Sequence, residues 1–147
     1  MSLPNLSKIG ALAEHTTDVE QVARVLAAVR RSIADARQES ISPETRLDAA
    51  YRAIVQASMV GLWANGYRTA KSKPGHHATV IQSLTHSIGL EKDQMLVLDT
   101  FRVKRNAIDC TGIDADENSV AECIKAADEL LQHLINWLTE HRPELLA

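Results

Sequence analysis

The sequence predicts an all-α protein, an antiparallel up-and-down four-helix bundle with an additional short N-terminal helix. Apolar residues recur at spacings of three and four, and no segment alternates in the manner of a strand. Hydrophobic residues make up 45% of the chain but aromatic residues only 3%, so Ala, Leu, Ile and Val must fill the core. That composition is typical of closely packed helices. The length of 147 residues suits a single domain that covers the whole chain.

Two helices are expected before residue 40. The first is a brief helix over about residues 5 to 14. The segment Thr17-Asp18-Val19-Glu20 then has the form of a capping box, with Glu20 placed to reach back to the cap. The helix that follows is expected to end near Glu39. Its apolar stripe consists of Val22, Val25, Leu26, Val29 and Ile33.

The third predicted helix is long and begins at Ser42-Pro43-Glu44. Serine is a favoured cap, proline costs nothing at the first helical position, and an acid suits the positive end of the helix dipole. The helix is expected to stop at Gly66, a residue suited to the left-handed conformation. Small residues such as Gly61 lie among the apolar ones, so a neighbouring helix could approach closely.

The second half of the chain predicts one short helix and two long ones. After a basic loop at residues 67–75, HHATVIQSLTHSIGL reads as a short helix closed by Gly89. A long helix runs from about Lys92 to Asp109. Ser119-Val120-Ala121-Glu122 offers a capping box for the last helix, which reaches Trp137 and ends before Pro143.

Composition restricts the classes of function. A net charge of -3 and a pI near 6.0 argue against a protein whose whole surface binds nucleic acid. Cys110 and Cys123 form no CxxC pair, which favours reduced thiols in a cytoplasmic protein. No apolar run approaches the roughly 20 residues of a membrane span, so no membrane partner is expected. No cofactor or metal motif is present either, and none is expected to be bound.

A polar cluster lies on the long helix at FRVKRNAIDCTG, residues 101–112. On a helical wheel its members share a sector of about 120°. They are Asp99, Arg102, Arg105, Asn106 and Asp109. One interpretation is structural, with ion pairs between Asp99 and Arg102 and between Arg105 and Asp109. The other is functional, since guanidinium groups facing a cleft offer forked donors that suit phosphate.

At these residues the sequence resembles the HEPN domains, whose name abbreviates higher eukaryotes and prokaryotes nucleotide-binding. The resemblance extends over about residues 45–138. It consists of RLDAAYRAIVQASMVGLWANGYR, PGHHATVIQSL, LDTFRVKRNAIDCTG and LLQHLINWL in this order. The bacterial branch that it is similar to carries Arg-Asn, three further residues and a tyrosine shortly before a small turn.

The resemblance implies a bundle that dimerises, with the Arg-Asn segments of both subunits near a shared cleft. Family members include RNA-cleaving toxins, defence proteins and companions of small nucleotidyltransferases. In nuclease members four to six residues separate the arginine from a following histidine. Arg105 and Asn106 match the arginine and the polar residue after it, but positions 110–112 are Cys-Thr-Gly. Cys110 stands where the tyrosine of the Arg-Asn variant would fall, so this helix supplies no imidazole for proton transfer.

His76 and His77 begin the predicted short helix, after Lys71, Lys73 and Gly75. One interpretation is an anion site at a helix start, with a histidine that provides the missing proton transfer. The other is that His77 is a packed, hydrogen-bonded residue. Adjacent histidines point in different directions from a helix and make a poor metal-ligand pair.

The resulting hypothesis is a HEPN-like protein that binds the phosphate of a nucleotide or RNA through Arg102, Arg105 and Asn106. Asp99 and Asp109 would orient the guanidinium groups, and Cys110 would support them. If the protein cleaves RNA, Arg105 and Asn106 would act in metal-independent transfer through a 2′,3′-cyclic phosphate.

His76 or His77 would then have to lie close to Arg105. The expected setting is a bacterial toxin–antitoxin, defence or nucleotidyltransferase-linked system. The expected partners are a second copy of the chain and a nucleotidyltransferase or antitoxin. The alternative is a non-catalytic helical-bundle module for protein–protein interaction.

Overall fold

The structure is a computed structural model that describes residues 2–70 and 75–147. Over these residues the chain is predominantly helical, which confirms the predicted all-α class. The helices are α1 (Leu3–Lys8), α2 (Val19–Ala36), α3 (Pro43–Ala64), α4 (His76–Gln82), α5 (Leu84–Ser87), α6 (Lys92–Thr111) and α7 (Glu117–His141). Two short strands, β1 (Leu12–Glu14) and β2 (Tyr67–Thr69), and a 3-10 turn at Pro143–Leu145 complete the regular structure. None of these helices is long and apolar enough to cross a membrane.

The long helix α3 is the centre of the core. It packs along α2 on one side and α7 on another, while α6 packs against α3 and α4 and meets α7 less extensively. Its side chains Leu47, Ile54 and Leu62 are fully buried, together with Leu134 and Leu138 of α7. Burial of one such side chain contributes about 1.5–3 kcal/mol. Because neighbours surround α3, its few polar side chains also lie against other helices.

The starts of α2 and α7 differ from the predictions. The side chain of Asp18 caps α2 by accepting from the backbone N–H of Gln21 at 2.8 Å, so the predicted role of Glu20 is wrong. The side chain of Asp116 caps α7 by accepting from Ser119 N–H at 2.6 Å, so the capping box that began at Ser119 is also wrong. In both cases a carboxylate takes the cap, where its charge also suits the positive end of the helix. The predicted start of α3 is confirmed, since Ser42 accepts from Thr45 N–H.

The N-terminal segment is the largest departure from the predicted fold. The brief helix expected to residue 14 ends at Lys8, and Gly10 takes a positive φ of 80°. The chain then forms β1, which pairs antiparallel with β2 so that Leu12 faces Thr69 and Glu14 faces Tyr67. The prediction of no strand is therefore wrong. Strands of three residues are too short for alternation to stand out in a sequence.

Smaller corrections concern helix ends. α2 ends at Ala36, before the expected Glu39. The single short helix expected after residue 75 is divided into α4 and α5 at Ser83, whose hydroxyl donates to the carbonyl of Val80 at 2.7 Å. Gly89 ends this region with a positive φ of 65°, as predicted. Lys71 and Lys73 of the predicted basic loop lie outside the described residues.

Candidate functional site

The predicted ion pair between Asp99 and Arg102 is present on α6. Arg102 donates from Nε to Oδ1 at 2.7 Å and from Nη2 to Oδ2 at 3.2 Å, so the two planar groups meet edge to edge. Both side chains are largely shielded from solvent. The carboxylate takes one hydrogen of Nε and one of Nη2, so three of the five N–H donors of Arg102 are not used by Asp99. The pair fixes the orientation of both planar groups.

Arg105 is held differently, by carboxylates on two helices. Its Nε donates to Oδ1 of Asp48 on α3 at 2.7 Å, and Oδ2 of Asp109 lies 3.3 Å from the same nitrogen. The guanidinium carbon lies 5.5 Å from the centre of the Tyr51 ring. Within the described part of the chain, Nη1 and Nη2 of Arg105 donate no hydrogen bond. The guanidinium is therefore fixed along one edge while its outer fork remains available.

A small pocket lies where α3, α4 and α6 meet, and we call it the Arg105 pocket. Its volume is about 140 Å³. The lining residues are Asp48, Tyr51, Arg52, Val55, His77 and Arg105. The lining thus contains two arginines and one aspartate, and Asp109 contacts Arg105 from outside the lining. The hydrogen bond that Arg105 donates to Asp48 raises the pKa of Arg105 above its ordinary value, so this guanidinium stays charged at any physiological pH.

Tyr51 and His77 form a second polar pair in the Arg105 pocket. The Oη of Tyr51 lies 3.2 Å from Nδ1 of His77. Burial raises the pKa of Tyr51 to about 12, against the opposing charges of Arg105 and Arg102. Burial, followed by the charges of His76, Arg105 and Arg102, lowers the pKa of His77. At neutral pH both groups are uncharged, and a phenol that donates to Nδ1 leaves the hydrogen of the imidazole on Nε2.

The remaining predicted site residues lie outside the Arg105 pocket. His76 is exposed, with its ring edge-on to that of His77 and the two centres 4.6 Å apart. Asn106, Asp109 and Cys110 are exposed on α6. Asp109 contacts Arg105 as predicted, whereas the side-chain amide of Asn106 makes no hydrogen bond to any described residue. Of the two histidines, His77 is the one that lies beside Arg105, as the hypothesis requires.

Sequence reasoning missed the contribution of α3. Asp48, Tyr51, Arg52 and Val55 line the Arg105 pocket at spacings of three, four and seven residues, which is one face of a helix. The signal in the sequence was Asp48, an acid flanked by Leu47 and Ala49 in a helix that is otherwise mostly apolar. A charged residue at such a position needs a partner from another element.

The site offers hydrogen-bond donors more than acid–base groups. Arg105 and Arg52 are permanently charged, Tyr51 stays protonated, and His77 is the pocket residue that titrates nearest neutrality. No group of three or more His, Cys, Asp or Glu residues that could hold a metal ion occurs within residues 2–70 and 75–147. Such a pocket can bind an anion by charge and directed donors.

The fold and the Arg105 pocket define an all-α protein with an arginine-lined pocket between helices. No protein-family model, no curated protein and no solved structure matches the chain. The resemblance to HEPN domains therefore rests on the motifs of residues 45–138 quoted above.

Proposed function

We propose that the protein binds a phosphate group of a nucleotide or of RNA in the Arg105 pocket. The observation that carries the proposal is the state of Arg105. Asp48 and Asp109 hold its Nε, and Nη1 and Nη2 donate to no described group. Two parallel N–H donors on a fixed plane match two oxygens of a phosphate, and such charged, forked bonds are among the strongest in proteins.

The size of the Arg105 pocket limits what part of the ligand it encloses. Pockets that enclose a drug-sized molecule measure about 300–1,000 Å³, and this one measures about 140 Å³. It can accept a phosphate group but leaves the sugar and base outside. We therefore expect weak discrimination among the four bases.

The pair of Tyr51 and His77 supports binding over cleavage. RNA cleavage through a cyclic phosphate needs a base that removes the proton of the 2′-hydroxyl. While Tyr51 donates to Nδ1, the other nitrogen of neutral His77 carries a hydrogen and donates to a ligand oxygen instead. Phosphate binding is thus the primary proposal, and ribonuclease activity is a separate outcome of the same assay.

The test compares three proteins on two probes. The proteins are the parent, Arg105→Ala and Arg30→Ala, a matched control because Arg30 is an exposed arginine of α2 outside the Arg105 pocket. The probes are labelled ATP and a fluorescent ten-nucleotide RNA. Loss of a charged hydrogen-bond donor costs about 1.5–3 kcal/mol, so Arg105→Ala should weaken binding by about tenfold or more. Arg30→Ala should bind like the parent.

Three results would count against the proposal or extend it. Equal binding by the parent and Arg105→Ala would remove the Arg105 pocket as the site. No binding of either probe by the parent would refute the function. If the RNA is shortened, cleavage that disappears in both Arg105→Ala and His77→Gln would add catalysis at this pocket, whereas cleavage that survives both would exclude it.

A second candidate function is a protein–protein interaction module, including a homodimer. It is favoured by α6, where Leu96, Val97 and Val103 are 47%, 52% and 55% exposed. Singly exposed apolar side chains are common, but three on one helix suggest a contact surface. The experiment is the molar mass in solution of the parent and of Val103→Lys. A dimer that dissociates in the variant supports this candidate, and a monomeric parent removes the homodimer.

The biological setting is also part of the proposal. The HEPN resemblance supports a bacterial toxin–antitoxin, defence or nucleotidyltransferase-linked system, and the unpaired thiols support a cytoplasmic location. Co-purification of the chain with a small nucleotidyltransferase or an antitoxin from its native host would test the setting separately from the ligand.

A further inference from the structure

A second cavity, the Trp63 cavity, lies at the other end of α3. Its volume is about 220 Å³. The end of α3 contributes Met59, Leu62 and Trp63, and β2 contributes Arg68. The segment between β1 and α2 contributes His15, and α2 contributes Gln21. Trp63 is twelve residues beyond Tyr51 on the same helix, which places the cavity about 18 Å along the axis from the Arg105 pocket.

One part of the Trp63 cavity is flat and apolar. Trp63 is a wall residue that is only 9% exposed, with Met59 and Leu62 beside it. The ring of His15 lies 5.4 Å from the ring of Trp63, centre to centre, at an angle of 41°. Aromatic rings pack against one another at centre distances of about 4.5–7 Å. His15 therefore packs against the indole itself, and a ligand ring would find the remaining aromatic surface of Trp63 beside the thioether of Met59 and the side chain of Leu62.

The Trp63 cavity also contains an arginine, Arg68, that has no carboxylate partner among the described residues. Arg68 is partly buried, yet within the described residues it forms no ion pair, and its hydrogen bond is from Nη1 to the carbonyl of the adjacent Thr69 at 3.3 Å. Every other described arginine that is buried or partly buried has an acidic partner. The pairs are Arg46 with Glu117, Arg102 with Asp99, Arg105 with Asp48, and Arg142 with Glu144. Arg68 thus brings an uncompensated positive charge to a largely enclosed apolar space.

Besides the charged Arg68, the Trp63 cavity contains a neutral hydrogen-bond donor, the side-chain amide of Gln21. Its Oε1 accepts from Thr17 Oγ1 at 2.6 Å and lies 3.0 Å from Nε2 of His15. Since an amide oxygen can only accept, Nε2 of His15 carries the hydrogen of that contact. These two bonds fix the orientation of the amide, and its NH₂ group donates to no described residue. The polar groups of the Trp63 cavity are therefore oriented before any ligand arrives.

We propose that the Trp63 cavity is a binding site for a small aromatic carboxylate of one ring. The ring would pack against Trp63, Met59 and Leu62, and the carboxylate would take the place of the missing acidic partner of Arg68. At about 220 Å³ the cavity is smaller than those that enclose drug-sized ligands, which favours one ring over two. This site is independent of phosphate binding at the Arg105 pocket.

The probe is benzoate, and the reporter is Trp63. The chain has two tryptophans, so the Trp137→Phe variant leaves Trp63 as the single indole. Benzoate should change its fluorescence in a saturable manner. Benzamide has the same ring without the charge and should bind at least about tenfold more weakly, because it cannot form a charge-assisted hydrogen bond with Arg68. Calorimetry on the unmodified protein gives the same comparison without any substitution.

Substitutions then test whether Arg68 is the residue that binds the carboxylate of benzoate. Arg68→Gln should reduce benzoate affinity about as much as the change from benzoate to benzamide, while the matched control Arg30→Gln should leave it unchanged. Arg105→Ala should also leave it unchanged, which separates this site from the proposed function. Absence of saturable benzoate binding would overturn the proposal, and equal affinity for benzoate and benzamide would overturn the role of Arg68.

Discussion

Arg105 of α6 and Asp48 of α3 are 57 residues apart in the chain, yet Nε of the first lies 2.7 Å from Oδ1 of the second. The pair fastens α6, which has few contacts with α7, onto the central helix α3. It also sets the plane of the guanidinium in the Arg105 pocket. The two side chains are 30% and 40% exposed, so solvent screens their attraction. Positioning, more than stability, is what this pair contributes.

A double-mutant cycle should show that the ion pair of Asp48 and Arg105 contributes little to stability. We expect the coupling energy between Asp48→Ala and Arg105→Ala in urea unfolding to be about 0.2–1 kcal/mol, the range of partly exposed ion pairs. A coupling above about 2 kcal/mol would contradict it, because that would require a pair shielded from water. The pair Lys125 and Glu129, exposed on α7 with 4.0 Å between charges, is the reference for a weak contact.

His77 should make the stability depend on pH. Burial and nearby charges lower its pKa in the folded chain below the ordinary value of about 6.5. Above that value the group is neutral in both states. As the pH falls below about 6.5, His77 binds a proton in the unfolded chain more readily than in the folded chain, so the unfolding free energy decreases. Between pH 7.5 and 5.5 the parent should therefore lose more unfolding free energy than His77→Gln.

The pKa of His77 can be read directly by NMR on labelled histidine. A value at or above that of an unfolded peptide would contradict the expected direction. His76→Gln is the matched control, since His76 is exposed and adjacent in sequence. Its removal takes away one of the charges that lower the pKa of His77, so the pKa of His77 should rise slightly in that variant.

The two thiols should react at very different rates. Cys110 is exposed, whereas Cys123 is buried in α7 and burial raises its pKa to about 12. At pH 8 a thiol of that pKa is ionised in about one molecule in ten thousand, and the thiolate is the reactive form. A disulfide reagent should label one thiol of the folded chain rapidly and both in urea. Rapid labelling of folded Cys110→Ser would contradict the burial of Cys123.

Arg46 should be the most costly charged side chain to remove. It is only 8% exposed. Its Nε donates to the carbonyl of Ala36, the last residue of α2, at 2.7 Å, and Nη1 donates to Glu117, the first residue of α7, at 2.9 Å. Arg46→Met keeps the apolar stem but leaves a helix-end carbonyl without its partner, so we expect a loss of about 1–3 kcal/mol in unfolding free energy.

Arg30→Met is the control for Arg46→Met, because Arg30 is exposed on α2. Such surface substitutions usually change stability by less than about 0.5 kcal/mol. Equal effects of the two variants in urea unfolding would show that Arg46 does not bridge the ends of α2 and α7.

The helical class and the start of α3 were predictable because they depend on local signals. Ser42-Pro43 is followed at once by an apolar helix, and few other positions compete for the cap. At α2 and α7 several capping residues stand close together, so the choice of Asp18 and Asp116 was not resolved by spacing. The pairing of β1 with β2 joins segments more than fifty residues apart. Local pattern carries little information about such pairing.

In the candidate site too, contacts within one helix were predictable and contacts between elements were not. The ion pairs of Arg102 with Asp99 and of Arg105 with Asp109 lie within one helix, and their spacing alone predicted them. Asp48, Tyr51 and His77 reach the pocket from other elements. Their meeting depends on how α3, α4 and α6 rotate against one another in the core, and a one-dimensional pattern does not specify that rotation.

The pairing of β1 with β2 places a wall of the Trp63 cavity, but no part of the Arg105 pocket, in the N-terminal segment. His15 follows β1 directly, and its backbone N–H donates to the carbonyl of Gly66 at 2.9 Å. A chain that begins at Thr16 would lose this wall and uncover Trp63, while the residues of the Arg105 pocket, all beyond position 47, would remain. The N-terminal segment thus covers one end of α3, and trimming it would remove the Trp63 cavity while keeping every lining residue of the Arg105 pocket.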